Sequence, residues 1–104
     1  MRERDGEPAS FEVLTDERSR IVGALVIDTV TALLLVGSDA IDQGKAAIID
    51  LGGVTSSDSS GLALLIEWLS VAKYDRRTLR FENIPLQLHQ LARLSEVDAL
   101  LGAG

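Results

Sequence analysis

The run AAIIDL at residues 46–51 constrains the fold more than any other feature, because it is apolar at nearly every position over the length of one strand. Such a short, continuous apolar run is typical of a strand that is buried on both faces. Gly52 and Gly53 follow it, and an apolar helical pattern begins soon after them. We therefore predict a central buried strand that ends at the two glycines and leads into a helix.

Two further strands are predicted as an opening hairpin, and one more lies near the C-terminus. Phe11, Val13 and the apolar run 21–26 flank the polar segment TDERSR, a pattern that suits two antiparallel strands joined by a tight turn. The segment TLRFENI, residues 78–84, alternates in polarity and predicts the last strand.

Three helices complete the predicted order β, β, α, β, α, β, α. The first begins at Asp28 or Thr29, either of which is a suitable cap, and ends near Gly44. The second covers roughly residues 59–74, and the third, LQLHQLARLSEVDALL, follows Pro85 because proline is well tolerated in a first helical turn. Strands separated by helices imply crossovers. The expected class is α/β, with a mixed, mostly parallel sheet opened by an N-terminal hairpin and helices packed against it.

Composition limits the classes of function. The 104 residues suffice for one domain, which we place at residues 10–104 after a flexible, charged leader at residues 1–9. A formal net charge of -6 argues against nucleic-acid binding, which depends on basic side chains.

The chain has no cysteine and begins without the apolar stretch of a secretory signal. The apolar run 21–37 is interrupted by Asp28, so we interpret it as a strand and a helix rather than a membrane span. We expect a cytoplasmic protein.

Catalytic, cofactor and metal sites are not predicted. A hydrolase serine at Ser59 needs a general base, but His89 is the only histidine and falls off the apolar stripe of the last helix. The segment around Ser59 lacks both the GxSxG pattern and the lysine of a phosphate loop. No group of side chains has metal-ligand spacing. An enzyme is therefore not expected.

The segment DLGGVTSSDSSGLALL, residues 50–65, places several hydroxyls at the start of the second helix. Asp58, Ser59 and Ser60 stand where the first backbone N–H groups of a helix need acceptors, so one of them is predicted to cap it. The same geometry suits a second interpretation, in which Ser59 receives a phosphate or contacts a partner at the positive end of the helix dipole. Both alternatives remain open from the sequence.

The second helix is apolar on two sides. Leu62, Leu65, Ile66 and Leu69 form one face, and Leu64, Trp68 and Val71 lie roughly opposite. In one interpretation the helix is buried on both sides between its neighbours. In the other, the second face is an exposed patch beside the hydroxyls, since exposed apolar groups around an aromatic residue often mark protein contacts.

The strand, loop and helix IIDLGGVTSSDSSGLALL resemble the signature segment of STAS domains, the fold of anti-anti-sigma factors. The Asp-Ser-Ser-Gly-Leu core at residues 58–62 is fairly specific, and the predicted element order agrees with that fold over nearly the whole chain. The ending FENIPLQLHQLARLSEVDALL is similar to that of MlaB-type STAS subunits, which belong to ABC phospholipid-transport complexes.

The MlaB-type resemblance implies a non-enzymatic adaptor that binds and supports the ATPase subunit of the transporter and meets the inner membrane only through that complex. It places Ser59 at the ATPase contact. The alternative is an anti-anti-sigma factor, in which Ser59 would be phosphorylated by an anti-sigma factor kinase, and the Asp-Ser-Ser sequence keeps this alternative open. The expected partner-binding residues beside Ser59 are Asp58, Ser60, Leu64, Trp68 and Val71.

Overall fold

The computed structural model describes residues 9–101, and its elements follow the predicted order. They are β1 (Ala9–Val13), β2 (Arg18–Leu25), α1 (Val30–Asp42), β3 (Ile48–Ser57), α2 (Ser59–Tyr74), β4 (Arg80–Glu82), α3 (Leu86–Leu94) and a 3-10 helix (Asp98–Leu101). The predicted leader lies outside the described residues except for Ala9, which begins β1. Between residues 9 and 101, no helix is both long and apolar enough to cross a membrane.

The four strands form one mixed sheet in the order β1-β2-β3-β4. β1 and β2 are antiparallel, whereas β2, β3 and β4 are parallel to one another. The predicted hairpin, the mostly parallel sheet and the α/β class are therefore confirmed. β3 is central, as expected, because it pairs with β2 on one side and β4 on the other.

The predicted end of the central strand at Gly52 and Gly53 is wrong, because β3 continues through both glycines to Ser57. The register explains how. From Arg20 to Val22, β2 advances two residues while β3 advances three, and a second shift follows beyond Gly23. Such bulges let one strand absorb extra residues, and glycine is common at them. β3 is thereby lengthened and bent toward the start of α2.

The helices cover one face of the sheet, so the expectation that β3 is buried on both faces is also wrong. The β2–α1–β3 and β3–α2–β4 connections cross the sheet in the same direction, and right-handed crossovers then place both helices on one face. α3 packs on α2 and β3. On β3, Ile49 and Leu51 are buried against the helices, whereas Ile48 and Asp50 are only half-buried on the open face.

Trp68 of α2 is the largest fully buried side chain and joins three elements. A Cβ atom on Gly37 of α1 would overlap its indole ring, so α1 passes directly over Trp68. The indole Nε1 donates to the carbonyl oxygen of Leu34 at 3.4 Å. On the sheet side, the Phe11 ring of β1 meets the indole edge to face, with ring centroids 5.7 Å apart.

The last predicted helix is interrupted. α3 ends at Leu94, because Glu96 takes a left-handed backbone conformation with φ 59 and the N–H of Val97 donates to the carbonyl of Ala92 at 2.9 Å. This bond is that of a Schellman helix end. Val97 then packs against the core, and the 3-10 helix buries Leu101. The turn keeps the C-terminal apolar residues on the core, which a straight helix would carry past it.

A row of charged residues crosses the open face of the sheet. Glu12, Arg20, Asp50 and Glu82 are register partners on the four neighbouring strands. Glu12 accepts from Arg20 at 2.7 Å, and Glu82 accepts from Arg18 at 2.7 Å. Hydrogen bonds from Arg18 and Arg80 lower the pKa of Glu82, and hydrogen bonds from the Asn83 side chain and the Gly52 N–H lower the pKa of Asp50.

We expect Gly37→Ala to destabilise the protein by about 1–3 kcal/mol, the usual cost of overpacking. Helix propensity alone would make a glycine-to-alanine change in a helix stabilising, so the sign of the effect identifies the contact with Trp68. Urea unfolding of Gly37→Ala, Trp68→Phe and the double variant measures the coupling. The double variant should lose less than the sum of the single changes, and strict additivity would contradict the contact.

We expect Glu82→Gln to lower stability at neutral pH and to have little effect in acid. The pKa of Glu82 is lower in the folded state than in the unfolded state, where it is about 4. The ionised carboxylate therefore stabilises the fold at pH values above the unfolded-state pKa. This stabilisation is lost as the pH falls through the folded-state pKa. Urea midpoints of the wild type and the variant at several pH values test this. Glu17→Gln is the control, because Glu17 is an exposed glutamate in the hairpin turn. If wild type and Glu82→Gln differed in stability as much in acid as at neutral pH, the prediction would be contradicted.

Candidate functional site

Three segments meet at the carboxyl ends of β2 and β3. They are the β2–α1 loop at residues 26–29, the junction of β3 with α2 at Asp58, and the first turn of α3. In sheets with parallel strands this edge is where binding sites usually form, because the loops that follow the strands converge there. The predicted hydroxyl cluster lies at this edge.

Asp58 is the N-cap of α2 and also holds the neighbouring loop. Its Oδ1 accepts from the N–H groups of Ser60 at 2.8 Å and Gly61 at 3.3 Å. Its Oδ2 accepts from the N–H of Ile27 in the β2–α1 loop at 3.3 Å. One carboxylate therefore caps the helix and fixes the loop beside it.

The capping interpretation thus applies to Asp58 and leaves Ser59 without that role. Ser59 is the first residue of α2 and is exposed, and its hydroxyl forms no hydrogen bond with any residue from 9 to 101. Ser60 follows it and is half-buried. The Ser59 hydroxyl is therefore available at the positive end of the α2 dipole for a partner or a phosphate.

Close packing holds the start of α2 against β2. A Cβ atom on Gly61 would lie 2.6 Å from the Leu25 carbonyl oxygen, so only glycine fits this approach. Thr29 stands at the predicted cap of α1, but its hydroxyl bonds backward instead, donating to the Ala24 carbonyl at 2.7 Å and accepting from the Val26 N–H at 3.1 Å. These bonds fix the β2–α1 loop from within.

α3 is fastened to the same edge by Gln87. Its side-chain oxygen accepts from the backbone N–H of Ser57 at 3.2 Å and from the Ser57 hydroxyl at 3.3 Å. Ser57 is buried and immediately precedes Asp58. The first turn of α3 is thereby placed beside the start of α2.

Two exposed apolar residues lie in the segments that are hydrogen-bonded to Ser57 and Asp58, and sequence reasoning missed both. Ile27 is 67% exposed although its N–H is bound by Asp58, and Leu86, next to Gln87, is 70% exposed. The sequence did offer a signal for their exposure. Ile27 directly follows the apolar run 21–26, and Leu86 precedes the apolar stripe of the last helix without belonging to it. We call Ser59, Ile27 and Leu86 the Ser59 surface.

The predicted exposed patch on α2 is wrong for two of its three residues. Leu64 is 4% exposed and Trp68 is fully buried, because α1 packs over this side of α2. The alternative interpretation, burial on both sides, is the correct one for them. Val71 is half-buried and borders a shallow depression with Glu67 and Tyr74. Leu64 and Trp68 thus pack within the fold and do not form an exposed patch.

The described surroundings of Ser59 hold neither an activating base nor a metal-binding cluster. No histidine or carboxylate among residues 9–101 hydrogen-bonds to the Ser59 hydroxyl, so none is placed to activate it as a nucleophile. The same part of the chain contains no group of three histidine, aspartate or glutamate residues that would hold a metal ion. The Asp58 carboxylate is occupied by three N–H groups.

Comparisons with known proteins identify the family and the fold. The family model described as the MlaB STAS domain matches residues 14–102. The structure is similar to the unphosphorylated anti-sigma factor antagonist SpoIIAA, with a TM-score of 0.63 and 21% identity over 83% of this chain and 82% of that one. It is also similar to phosphorylated SpoIIAA from Bacillus, with a TM-score of 0.65 and 21% identity over 88% and 86% of the two chains. No curated protein sequence matched the chain.

We expect Asp58→Ala to destabilise the protein by about 1 kcal/mol or more, because it removes the α2 cap and the bond to the β2–α1 loop. Ser59→Ala should leave the melting temperature nearly unchanged, since its hydroxyl bonds to no described residue. Thermal melts of both variants, with Asp58→Asn as a cap-preserving control, measure the difference. A larger loss for Ser59→Ala than for Asp58→Ala would contradict this assignment of the cap.

Proposed function

Because the chain belongs to the MlaB-type STAS domain family, we propose that it is a non-enzymatic adaptor for the ATPase subunit of an ABC phospholipid-transport complex. In this proposal the Ser59 surface docks on the ATPase, and the protein reaches the inner membrane only as part of that complex. The structures of SpoIIAA support the fold at this level of identity, and the family match over residues 14–102 supports the choice of an adaptor.

The observation that carries the proposal is the exposed Ser59 hydroxyl on a fixed surface. Asp58 and Gln87 hold the surrounding segments by hydrogen bonds to backbone N–H groups, so little order is lost when a partner binds. Ile27 and Leu86 provide exposed apolar area in these segments. A polar centre with exposed apolar side chains on the same rigid frame suits a protein contact better than a reaction.

A phosphorylation switch is the second candidate, and the same hydroxyl favours it. Ser59 is exposed and accessible, and a phosphate there would lie at the positive dipole end of α2. SpoIIAA, which shares the fold, has been solved in a phosphorylated form. In this candidate function the chain is an anti-anti-sigma factor, and its partner is an anti-sigma factor kinase.

We expect Leu86→Asp and Ser59→Glu to reduce binding to the ATPase subunit of the proposed complex, and Ser59→Ala to reduce it less. Each of the first two places a charge in an apolar contact, which raises the cost of desolvation. Leu86→Asp should weaken binding by about tenfold or more if Leu86 is buried in the contact. Calorimetry with the purified ATPase gives the dissociation constants.

Leu94→Asp is the matched control, because Leu94 is 82% exposed at the other end of the same helix and should leave binding unchanged. Full binding by folded Leu86→Asp and Ser59→Glu variants would refute docking through the Ser59 surface. Absence of any binding to the ATPase, together with phosphorylation of Ser59 by a neighbouring anti-sigma kinase, would establish the second candidate function instead.

A further inference from the structure

A groove of about 320 Å³ runs between α1 and α2, beginning beside the Ser59 surface. Its walls include Val30, Thr31 and Leu34 from α1, and Ser60, Ala63 and Glu67 from α2. Ser60 adjoins Ser59 in the first turn of α2, whereas Glu67 lies two turns further along the helix. The groove is therefore continuous with the proposed docking surface.

Among the described residues that line this groove, Glu67 carries the only charge, and it is negative. Residues 21–44 and 46–72, which supply both walls, contain no lysine, arginine or histidine. They contain six acidic residues, but Asp50 lies on the open face of the sheet and the Asp58 carboxylate is occupied as the α2 cap, so neither adds free charge to the groove. Glu67 is exposed on the wall of the groove and forms no ion pair with any residue from 9 to 101.

The described basic residues lie elsewhere. Arg18, Arg20 and Arg80 are paired on the open face of the sheet. Lys45, Lys73, Arg76, Arg77 and Arg93 lie in the loop before β3, at or just after the end of α2, and near the end of α3. The groove is therefore apolar, its walls supply no cation, and its one carboxylate, Glu67, has no ionic partner in the part of the chain that the structure describes.

We propose that the groove receives a helix of the partner protein whose apolar side chains are flanked by lysine or arginine. Apolar side chains fill the space between Leu34 and Ala63, and a basic side chain pairs with Glu67. A second copy that docked through its own groove would bring another Glu67 and no cation, and a membrane surface rich in anionic lipid would be repelled. The charge therefore selects a basic protein helix among the three kinds of occupant.

Two designed probes test the site on the full chain. One is a helical peptide of leucine and lysine, and the other replaces each lysine with glutamate. In amide NMR spectra, the lysine peptide should shift the signals of Thr31, Ala63 and Glu67, and the glutamate peptide should leave them in place. Equal shifts from both peptides, or shifts confined to residues outside the groove, would overturn the proposal.

Substitutions separate the charge from the shape of the groove. Glu67→Lys should weaken binding of the lysine peptide by about fivefold, and raised salt should reduce wild-type binding and diminish this difference. Asp16→Lys makes the same change of charge in the exposed hairpin turn and should have little effect. Ala63→Leu should fill the groove and weaken binding at any salt concentration. Equal effects of Glu67→Lys and Asp16→Lys would show only general charge attraction and would overturn the site.

The identity of the partner rests on the proposed function, and the same variants separate the two ideas. If the ATPase binds the wild type and the Glu67→Lys and Ala63→Leu variants equally well, the adaptor function stands and the groove proposal falls. If the ATPase fails to bind the wild type while the lysine peptide maps to the groove, the adaptor function falls and the groove proposal stands.

Discussion

The packing of Trp68 beneath α1 is the constraint on which the rest of the structure depends. Trp68 contacts the Gly37 turn of α1 and the Phe11 ring of β1. It lies on α2, the helix that begins at Ser59. Because α1 and α2 meet across this indole, its position sets their separation and hence the width of the groove between them. The buried contact at Trp68 and the proposed groove are therefore both formed by α1 and α2, and a change in the first would alter the second.

The order of elements was predictable because periodicity and turn residues act locally. The helices beginning near Thr29 and at Ser59 are in place, and the hydroxyl cluster lies at the edge where the strands end. What the sequence did not reveal depends on contacts between distant residues. The bulges that carry β3 through Gly53 arise from its pairing with β2, and the burial of Trp68 depends on a glycine in another helix. Asp58 acts as the cap, so the Ser59 hydroxyl has no partner among residues 9–101, and capping residues of similar propensity are resolved only by geometry.

Family and site constrain function to different degrees. The match over residues 14–102 shows a STAS domain of the MlaB type, a class of regulators and adaptors. The site adds that the Ser59 hydroxyl is exposed on a frame held by Asp58 and Gln87. Adaptor docking and phosphorylation both use this hydroxyl, since both need an accessible oxygen at a helix start. The two functions differ in the partner, and the acidic groove beside Ser59 bears on which surfaces a partner must present.

The open face of the sheet has a consequence for how the protein avoids self-association. A bare sheet face invites a second sheet to stack on it at about 10 Å. Here such stacking would remove water from the charged row that includes Glu12, Arg20 and Glu82. The free energy of desolvating these ion pairs exceeds the gain from their attraction. The row thus protects the uncovered face from sheet stacking while it remains ionised. In acid, as Glu82 takes up a proton, that protection weakens, and stacking on the uncovered face becomes less costly.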